Sequence, residues 1–471
     1  MTEDTRSKQK VSAAKDAPAT AAKDAPATAA SFPECIKLER MGTDACAVGH
    51  LQSGKTIFVP HGAPGDVVMV EITEDKPSFS RGRILSVEQA SSVRVKPTCA
   101  FAEVCGGCSW QHITYEAQLE AKRANVVSAL ARLGGFSQDA AQAMVSSVVP
   151  SKRTWGYRNK LELQVQTPAS GKLEVGFCEE GSHDLAFVER CPLAHPQIEG
   201  APKSLRGALR YLQGNSDLGI FRVGVRASVR TKELEIALWT KPTAFPRTLA
   251  ANVLGNAFGG ATSIVRVLAD PGRARAVKKV EVLGGKGSWE ESLYNCTFLT
   301  SAPSFFQVNT AQAEKLIEHV ISGLGGVKNK KVADLYAGGG TFSLPLAKAG
   351  ASVVAIEAAG SSVRDLRRNA EINHVCVEVV GGTTERQFKG ISHALDALVV
   401  DPPRAGLDAR VIQDIAKARP LRVAYVSCNP TTWARDVVRF KKSGYELLSV
   451  APVDMFPQTY HVEAVSILER K

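Results

Sequence analysis

The stretch KVADLYAGGGTFSLPLAKAGASVVAIE, residues 331–357, decides the fold. Lys331 to Tyr336 predicts a strand, Asp334 to Thr341 a glycine-rich loop overlapping its end, Phe342 to Ala349 a helix, and Ser352 to Glu357 a second strand. Two strands joined through one helix lie parallel, because a crossover of that length carries the chain back to the same edge of the sheet. The alternation continues through a helix over Ser361 to Ile372 and strands over Asp396 to Val400 and Arg422 to Ser427. From about residue 301 to 471 the chain therefore reads as an α/β, doubly wound parallel sheet with helices on both faces. Its last two runs, Tyr445 to Val450 and His461 to Leu468, have no helical length between them and predict an antiparallel closing pair. The glycines after Tyr336 allow close backbone approach to a ligand at the carboxyl end of the sheet. Glu357, ending the next strand, is placed to accept hydrogen bonds from both hydroxyls of a ribose, which points to a nucleoside cofactor. A dinucleotide fits less well, since the loop lacks the full Gly-x-Gly-x-x-Gly string.

Working outward, 471 residues exceed one core and call for several domains. Residues 1–31 contain an eight-residue duplication, Ala13 to Thr20 repeated from Ala21 to Thr28, with almost no large apolar side chains, and read as a disordered tail. Residues 32–90 change to short β-rich runs punctuated by Gly54, Pro60-His61-Gly62 and Pro64-Gly65-Asp66, the pattern of a small barrel. Phe79, Arg81 and Arg83 at its far end are placed either to stack on a base and hold phosphate or to form an ordinary strand face. Residues 91–300 read as a mixed, mostly β central domain, entered through a helix over Tyr115 to Leu133 that Gly134-Gly135 stops. A formal net charge of +11 and a pI near 9.1 suggest a polyanionic partner, because lysines and arginines that neutralise phosphates release counterions. The N-terminus has no apolar signal core and no uncharged apolar run reaches membrane-spanning length, so a cytoplasmic protein with no membrane partner is expected.

In a reducing compartment the ten cysteines call for metal binding or chemistry rather than disulfides. Cys99, Cys105, Cys108 and Cys191 form the one clustered set, with Gly106-Gly107 letting the loop wrap closely. Four sulfurs without a histidine suit either tetrahedral zinc or an iron-sulfur cluster. Cys35, Cys46, Cys178, Cys296 and Cys376 lack such spacing and read as packing residues. Three strings near the C-terminus carry a different chemistry. Asp401-Pro402-Pro403-Arg404 follows an apolar strand, and the two prolines end that strand with Asp401 aimed into the crevice. In Ser427-Cys428-Asn429-Pro430 a thiol stands at a strand end beside a helix N-terminus, a setting that favours thiolate. In His461-Val462-Glu463 a carboxylate lies in an otherwise apolar strand, costly unless it has a task. Cys428 and Glu463 thus read as nucleophile and base.

Taken with Phe305-Phe306-Gln307-Val308-Asn309 and the Asp334 loop, these strings resemble the RNA 5-methyluridine methyltransferase family over nearly everything after residue 32. The resemblance implies a class I methyltransferase sheet at the C-terminus, a TRAM barrel at the N-terminus, and RNA as partner, with 23S rRNA favoured and tRNA the alternative. It implies that Cys99, Cys105, Cys108 and Cys191 ligate a [4Fe-4S] cluster of structural role. It further implies S-adenosylmethionine contacts from Gln307, Tyr336, Thr341, Glu357, Thr383 and Asp401, although Thr341 and Thr383 stand where the family often carries asparagine or acidic residues. Cys428 would attack carbon 6 of a flipped uracil, and Glu463 would remove the carbon 5 proton. A monomer is expected. Methylation of an exocyclic nitrogen would need no thiol and would prefer an aromatic residue where Arg404 stands, and a non-catalytic RNA-binding module would need neither thiol nor cofactor loop.

Overall fold

The computed structural model describes residues 33–168, 171–214, 216–272, 276–391 and 395–471, so the expected N-terminal tail lies outside the described residues. Strands β1 (Glu34–Met41), β2 (Ala47–His50), β3 (Thr56–Val59), β4 (Val67–Asp75) and β5 (Ser80–Gln89) close into a barrel in the order β1-β2-β3-β5-β4. Alternation along each strand turns Leu38, Ile57, Val59, Val68 and Val70 inward. Buried Asp66 organises one end by accepting hydrogen bonds from the amides of Ala63 and Ser91 and from Arg94. Closure leaves the short strands no open edge.

Helix α1 (Tyr115–Leu133) has the predicted bounds; the Thr114 hydroxyl caps its start and Gly134 ends it. With α2 (Gln138–Met144) it departs from the expected division at residues 91–300. Its Val126, Val127 and Leu130 pack with Trp433, Phe440 and Tyr445 of the C-terminal domain, while its Ala117 and Ala121 reach the barrel core beside Trp110. The near-helical apolar spacing shows that a helix forms there but carries no information about its partner.

The central sheet contains β6 (Lys160–Gln166), β7 (Glu174–Cys178), β8 (Leu185–Ala186), β9 (Ile220–Ala227), β10 (Leu234–Thr240), β11 (Ser263–Leu268) and β12 (Lys279–Gly285). Their order is β12-β11-β10-β9-β6-β7-β8, with only β10 and β11 parallel. That one parallel pair is joined through α4 (Arg247–Ala257), which with α3 (Ala201–Gln213) packs Leu205, Leu209 and Leu254 against Leu163, Val223 and Ile236. The hairpin β13 (Trp289–Leu293) and β14 (Cys296–Thr300) turns through Tyr294 and Asn295, both at positive φ. Its Trp289 and Phe298 pack edge-on against Phe306 within the C-terminal core. The expected boundary at 300 therefore leaves on the central side a hairpin that packs into the C-terminal core.

That sheet follows α5 (Thr310–Gly323). In chain order it runs through β15 (Lys331–Leu335), α6 (Ser343–Lys348), β16 (Ser352–Glu357), α7 (Gly360–Ile372), β17 (Val377–Gly381) and α8 (Thr384–Ile391). It continues through β18 (Ala397–Val400), α9 (Ala409–Ala418), β19 (Arg422–Ser427), α10 (Pro430–Lys442), β20 (Tyr445–Val453) and β21 (Glu463–Arg470). The strand order is β17-β16-β15-β18-β19-β21-β20. The first five strands are parallel, and β21 runs antiparallel between β19 and β20, as the missing helix between the last two runs predicts. One face is sealed by α1, α9 and α10 through Leu130, Ile415 and Trp433, the other by α5, α6 and α7 through Ile317, Leu344 and Leu366. The order reverses between β15 and β18, which opens a crevice at their carboxyl ends.

Candidate active site

Four parallel strands end side by side: β16 at Glu357, β15 just before Tyr336, β18 just before Asp401, and β19 just before Cys428. Strand β21 approaches from the opposite direction with Glu463 as its first residue, and Ser427 pairs with Ala464, so Cys428 and Glu463 face each other at the same sheet edge. Glu463 is buried and its carboxyl is pushed well above the usual range by burial, then by the charge of Asp401, with Arg404 opposing. Burial likewise pushes the Cys428 thiol up to about 11, reinforced by Glu463 and Asp401 and opposed by Arg404. The expectation of a favoured thiolate is thus overturned for the resting protein: the N-terminus of α10, capped by the Asn429 side chain on the Thr431 amide, is outweighed by burial beside two acids.

The cofactor loop is fixed by its own backbone. Tyr336 adopts φ +66, a left-handed geometry rare for a bulky residue, and its hydroxyl donates to Glu385 at 3.1 Å. Gly340 stands at φ +98, and a Cβ there would come within 2.5 Å of the Leu366 side chain, so only glycine fits. Glu357 accepts hydrogen bonds from the amides of Gly338 at 2.9 Å and Ala359 at 2.6 Å, which orients both carboxylate oxygens while leaving each a lone pair. Thr341 is half-buried at the entry to α6. Thr383 precedes α8, its carbonyl accepting from Arg386 and Gln387, and Gly382 ties the segment to the Glu357 carbonyl. Gln307 is buried ahead of α5, with its carbonyl held by the Asn159 amide at 2.9 Å.

Three further groups were not assigned roles by sequence reasoning. Asp334, fully buried, accepts from the Ser343 hydroxyl through one oxygen, while the other has no partner; burial pushes its carboxyl up to about 7. Burial, with the charge of Asp334, does the same to Asp401. Arg404 is exposed, and its Nη2 lies 3.5 Å from Nε2 of His461, which burial, then Arg404, pushes down to about 4 and keeps neutral. Position at strand ends was the available signal for Asp334 and Arg404, whereas the His461 contact depends on a strand order that no local pattern encodes. Asn429 and Thr432 both donate to the Arg404 carbonyl, lacing the Asp401 loop to α10.

Away from this crevice, Cys99, Cys105, Cys108 and Cys191 line one cavity of about 150 Å³ with apolar walls that include Phe101, Phe177 and Leu193. Gly106 donates to the Cys178 carbonyl, and a Cβ on Gly106 would sit 3.1 Å from the Glu180 backbone, so the loop wraps as its glycines allow. Burial pushes the Cys105 thiol up to about 11 and the Cys108 thiol up to about 12. Among the described residues, no group of three or more His, Cys, Asp or Glu side chains is gathered tightly enough to grip a metal ion. Of the five cysteines read as packing residues, Cys46 and Cys296 are buried, but Cys35 and Cys376 are exposed, which corrects that reading for those two. In the barrel, Arg83 pairs with Glu71 at 2.7 Å, and Arg81 lies beside Asp44 and over the Phe58 and Phe79 rings, the arrangement of an ordinary strand face. Among the described residues no helix is long and apolar enough to cross a membrane.

Comparison with known proteins adds to this geometry. The tRNA (uracil-5-)-methyltransferase family matches residues 291–471, and the TRAM domain matches residues 36–85. An uncharacterized RNA methyltransferase of Gloeobacter violaceus is 36% identical over 443 residues, spanning 90% of this chain and 93% of its own. Another from Listeria innocua is 32% identical, spanning 93% and 97%. The crystal structure of Pyrococcus abyssi tRNA (uracil-54, C5)-methyltransferase with S-adenosyl-L-homocysteine superposes with a TM-score of 0.71 at 28% identity, covering 92% of this chain and 99% of that one.

Two measurements follow from the electrostatics. With a thiol near 11, Cys428 is expected to react with iodoacetamide at pH 7.5 after the exposed Cys35 and Cys376, and to accelerate steadily as the pH is raised; peptide mapping of alkylation against time gives the order. Asp334 holds its proton more tightly in the fold, near 7, than its ordinary value of 3.8, so the cost of ionising it is small at pH 4, grows as pH rises and is complete above pH 7. Asp334→Asn is therefore expected to raise the Tm of this domain by several degrees at pH 8 and to leave it nearly unchanged at pH 4, read by calorimetry.

Proposed function

The chain belongs to the RNA (uracil-5-)-methyltransferase family, an S-adenosylmethionine-dependent enzyme class, and from that premise we propose that it methylates carbon 5 of a uridine in 23S rRNA through a covalent bond to Cys428. The observation that carries the covalent route is the placing of Cys428 opposite Glu463 across β19 and β21, beside Asp401 and Arg404. Carbon 5 of uracil is a weak nucleophile. The partly exposed Cys428 thiol gives its proton to solvent as the sulfur attacks carbon 6, which pushes the ring electrons toward carbon 5 and oxygen 4. S-adenosylmethionine, when bound, would supply an electrophilic methyl group that carbon 5 takes as S-adenosylhomocysteine leaves. Glu463, ionised, then takes the carbon 5 proton; the ring double bond re-forms as the carbon–sulfur bond breaks, releasing the Cys428 thiolate. Burial raises the affinity of Glu463 for that proton, which suits a base in a water-poor pocket. Arg404, beside neutral His461, offers donors to the developing charge on the ring oxygen.

Gln307, Tyr336, Thr341, Glu357, Thr383 and Asp401 are the proposed cofactor contacts. Both oriented oxygens of Glu357 suit the ribose hydroxyls. Because the target base is stacked in folded RNA, it must be flipped into the crevice, with the barrel and the basic surface holding the flanking strand. A tRNA uridine is the second reading, favoured by the likeness to the archaeal tRNA enzyme over almost the whole chain.

Cys99, Cys105, Cys108 and Cys191 are proposed to hold a [4Fe-4S] cluster. Four partly buried cysteines lining one cavity fit that group, since thiols that burial keeps protonated, as at Cys105 and Cys108, become good ligands once a cation compensates their charge. A cluster also takes its ligands at separate corners, so it does not need the tight convergence that a single ion demands. The cluster would fix the loop against Glu179 and Glu180, and Glu180 in turn pairs with His61 of the barrel at 3.1 Å.

The test of the reaction is to map 5-methyluridine in total RNA from a strain lacking the gene and carrying either wild type or Cys428→Ala. A 23S rRNA uridine is expected to lose its methyl on deletion and regain it only with wild type, with 5-fluorouridine RNA trapped on Cys428. Loss in tRNA instead selects the second reading, no loss anywhere overturns uridine methylation, and restoration by Cys428→Ala overturns the covalent route. Protein purified without air is expected to be brown with about four irons per chain, and Cys191→Ser to lose most of both. A colourless, iron-free wild type counts against the cluster.

A further inference from the structure

The connection from β20 to Glu463, residues 454–462, is tied to α1 by several buried side chains. Lys122 and Asp454 are both fully buried and form an ion pair at 2.5 Å. Lys122 also donates to the Phe456 carbonyl at 3.0 Å. The Tyr115 hydroxyl donates to the other Asp454 oxygen at 2.7 Å and accepts from the Ser151 amide at 2.8 Å. One turn along α1, the Gln118 side chain exchanges two hydrogen bonds with Gln458, which stands at φ +70. Lys122, Tyr115 and Gln118 all come from α1, more than three hundred residues away in sequence.

We infer that Lys122 is a positioning residue for Glu463, acting through Asp454 to set the connection from which the catalytic base emerges. The inference rests on the role of Glu463 proposed above. A buried ion pair is a poor device for stability, because its desolvation cost is large and apolar residues of similar volume commonly replace it without loss. Its directional value is greater: a lysine donating to a carboxylate and a carbonyl in one loop fixes that loop's path, where an apolar contact would let it slide. The ties end at Thr459 and His461, whose amide donates to the Thr459 hydroxyl, two residues before the base. Strand β21 begins at Glu463, which pairs with Val453, so the ladder constrains the chain from the base onward but not the residues leading into it. The Lys122 latch supplies the charged part of the constraint there, alongside hydrogen bonds from Gln312 to the Asp454 carbonyl and from Asn309 to the Met455 carbonyl.

In the proposed reaction Glu463 acts only after the carbon–sulfur bond and the new methyl are in place. A misplaced base therefore leaves methylated RNA attached to Cys428, whereas general loosening of the fold slows attachment and release together. The test uses the full chain with total RNA from the deletion strain as acceptor, following released 5-methyluridine and the detergent-stable protein–RNA adduct. Lys122→Met paired with Asp454→Leu, which replaces the ion pair by apolar volume, is expected to lower kcat by about tenfold or more while the adduct fraction rises severalfold and the KM for S-adenosylmethionine stays unchanged. Tyr115→Phe, which removes one hydroxyl, is expected to shift the same ratio less. Unchanged turnover in the folded double variant, or a fall in turnover with no rise in adduct in both variants, overturns the inference. If Cys428→Ala retains turnover, the proposed function fails instead, and the two failures are distinguishable.

Discussion

Everything at the crevice depends on one strand running the wrong way. A purely parallel sheet presents only carboxyl ends at its active edge, each followed by a loop that leaves toward a helix. By inserting β21 antiparallel beside β19, the chain brings a strand's beginning to the same edge, and the first residue of that strand is Glu463. Ladder register then sets the sulfur of one strand beside the carboxylate of its neighbour, while the connection leading into Glu463 is held from α1. The penalty is electrostatic. Glu463 and Asp401 both hold their protons above the usual carboxylate range, and the Cys428 thiol rises with them.

Those raised values describe a site poised for cargo. An acid-rich, half-sealed crevice has a deficit of positive charge, and the methyl donor of this enzyme class carries a cationic sulfur and an ammonium. The unpartnered oxygen of Asp334, buried where the glycine loop begins, is part of the same deficit. In the proposed site a cationic methyl donor would favour the ionised form of the nearby acids, so binding and protonation would be linked.

Much of this was legible in the chain. The stretch 331–357 prescribes its strand, loop, helix and strand almost to the residue, because glycines and periodicity act locally. The strings around Asp401, Cys428 and Glu463 mark strand ends, and the lack of helical length before the last run indicates its direction. What stayed hidden was long-range. The spacing of Tyr115 to Leu133 shows a helix, yet only packing reveals that Val126 and Leu130 face Trp433 and that Lys122 finds Asp454. Trp289 and Phe298 similarly read as generic strand residues until Phe306 is seen against them. The cysteine loop was foreseeable as a unit, whereas the thiol shift at Cys428 was not, since a helix N-terminus is visible in sequence and the burial that outweighs it is not.

The placement of α1 also governs how the protein is made. Translation delivers this helix well before its charged partner Asp454, which follows more than three hundred positions later. At about 5–20 residues per second, the nascent Lys122, Val126 and Leu130 wait roughly 15 to 65 seconds for the surface that covers them. Through that interval the emerging polypeptide carries a sticky, half-dressed helix next to a finished barrel, an invitation to chaperones and a point where crowded synthesis goes astray.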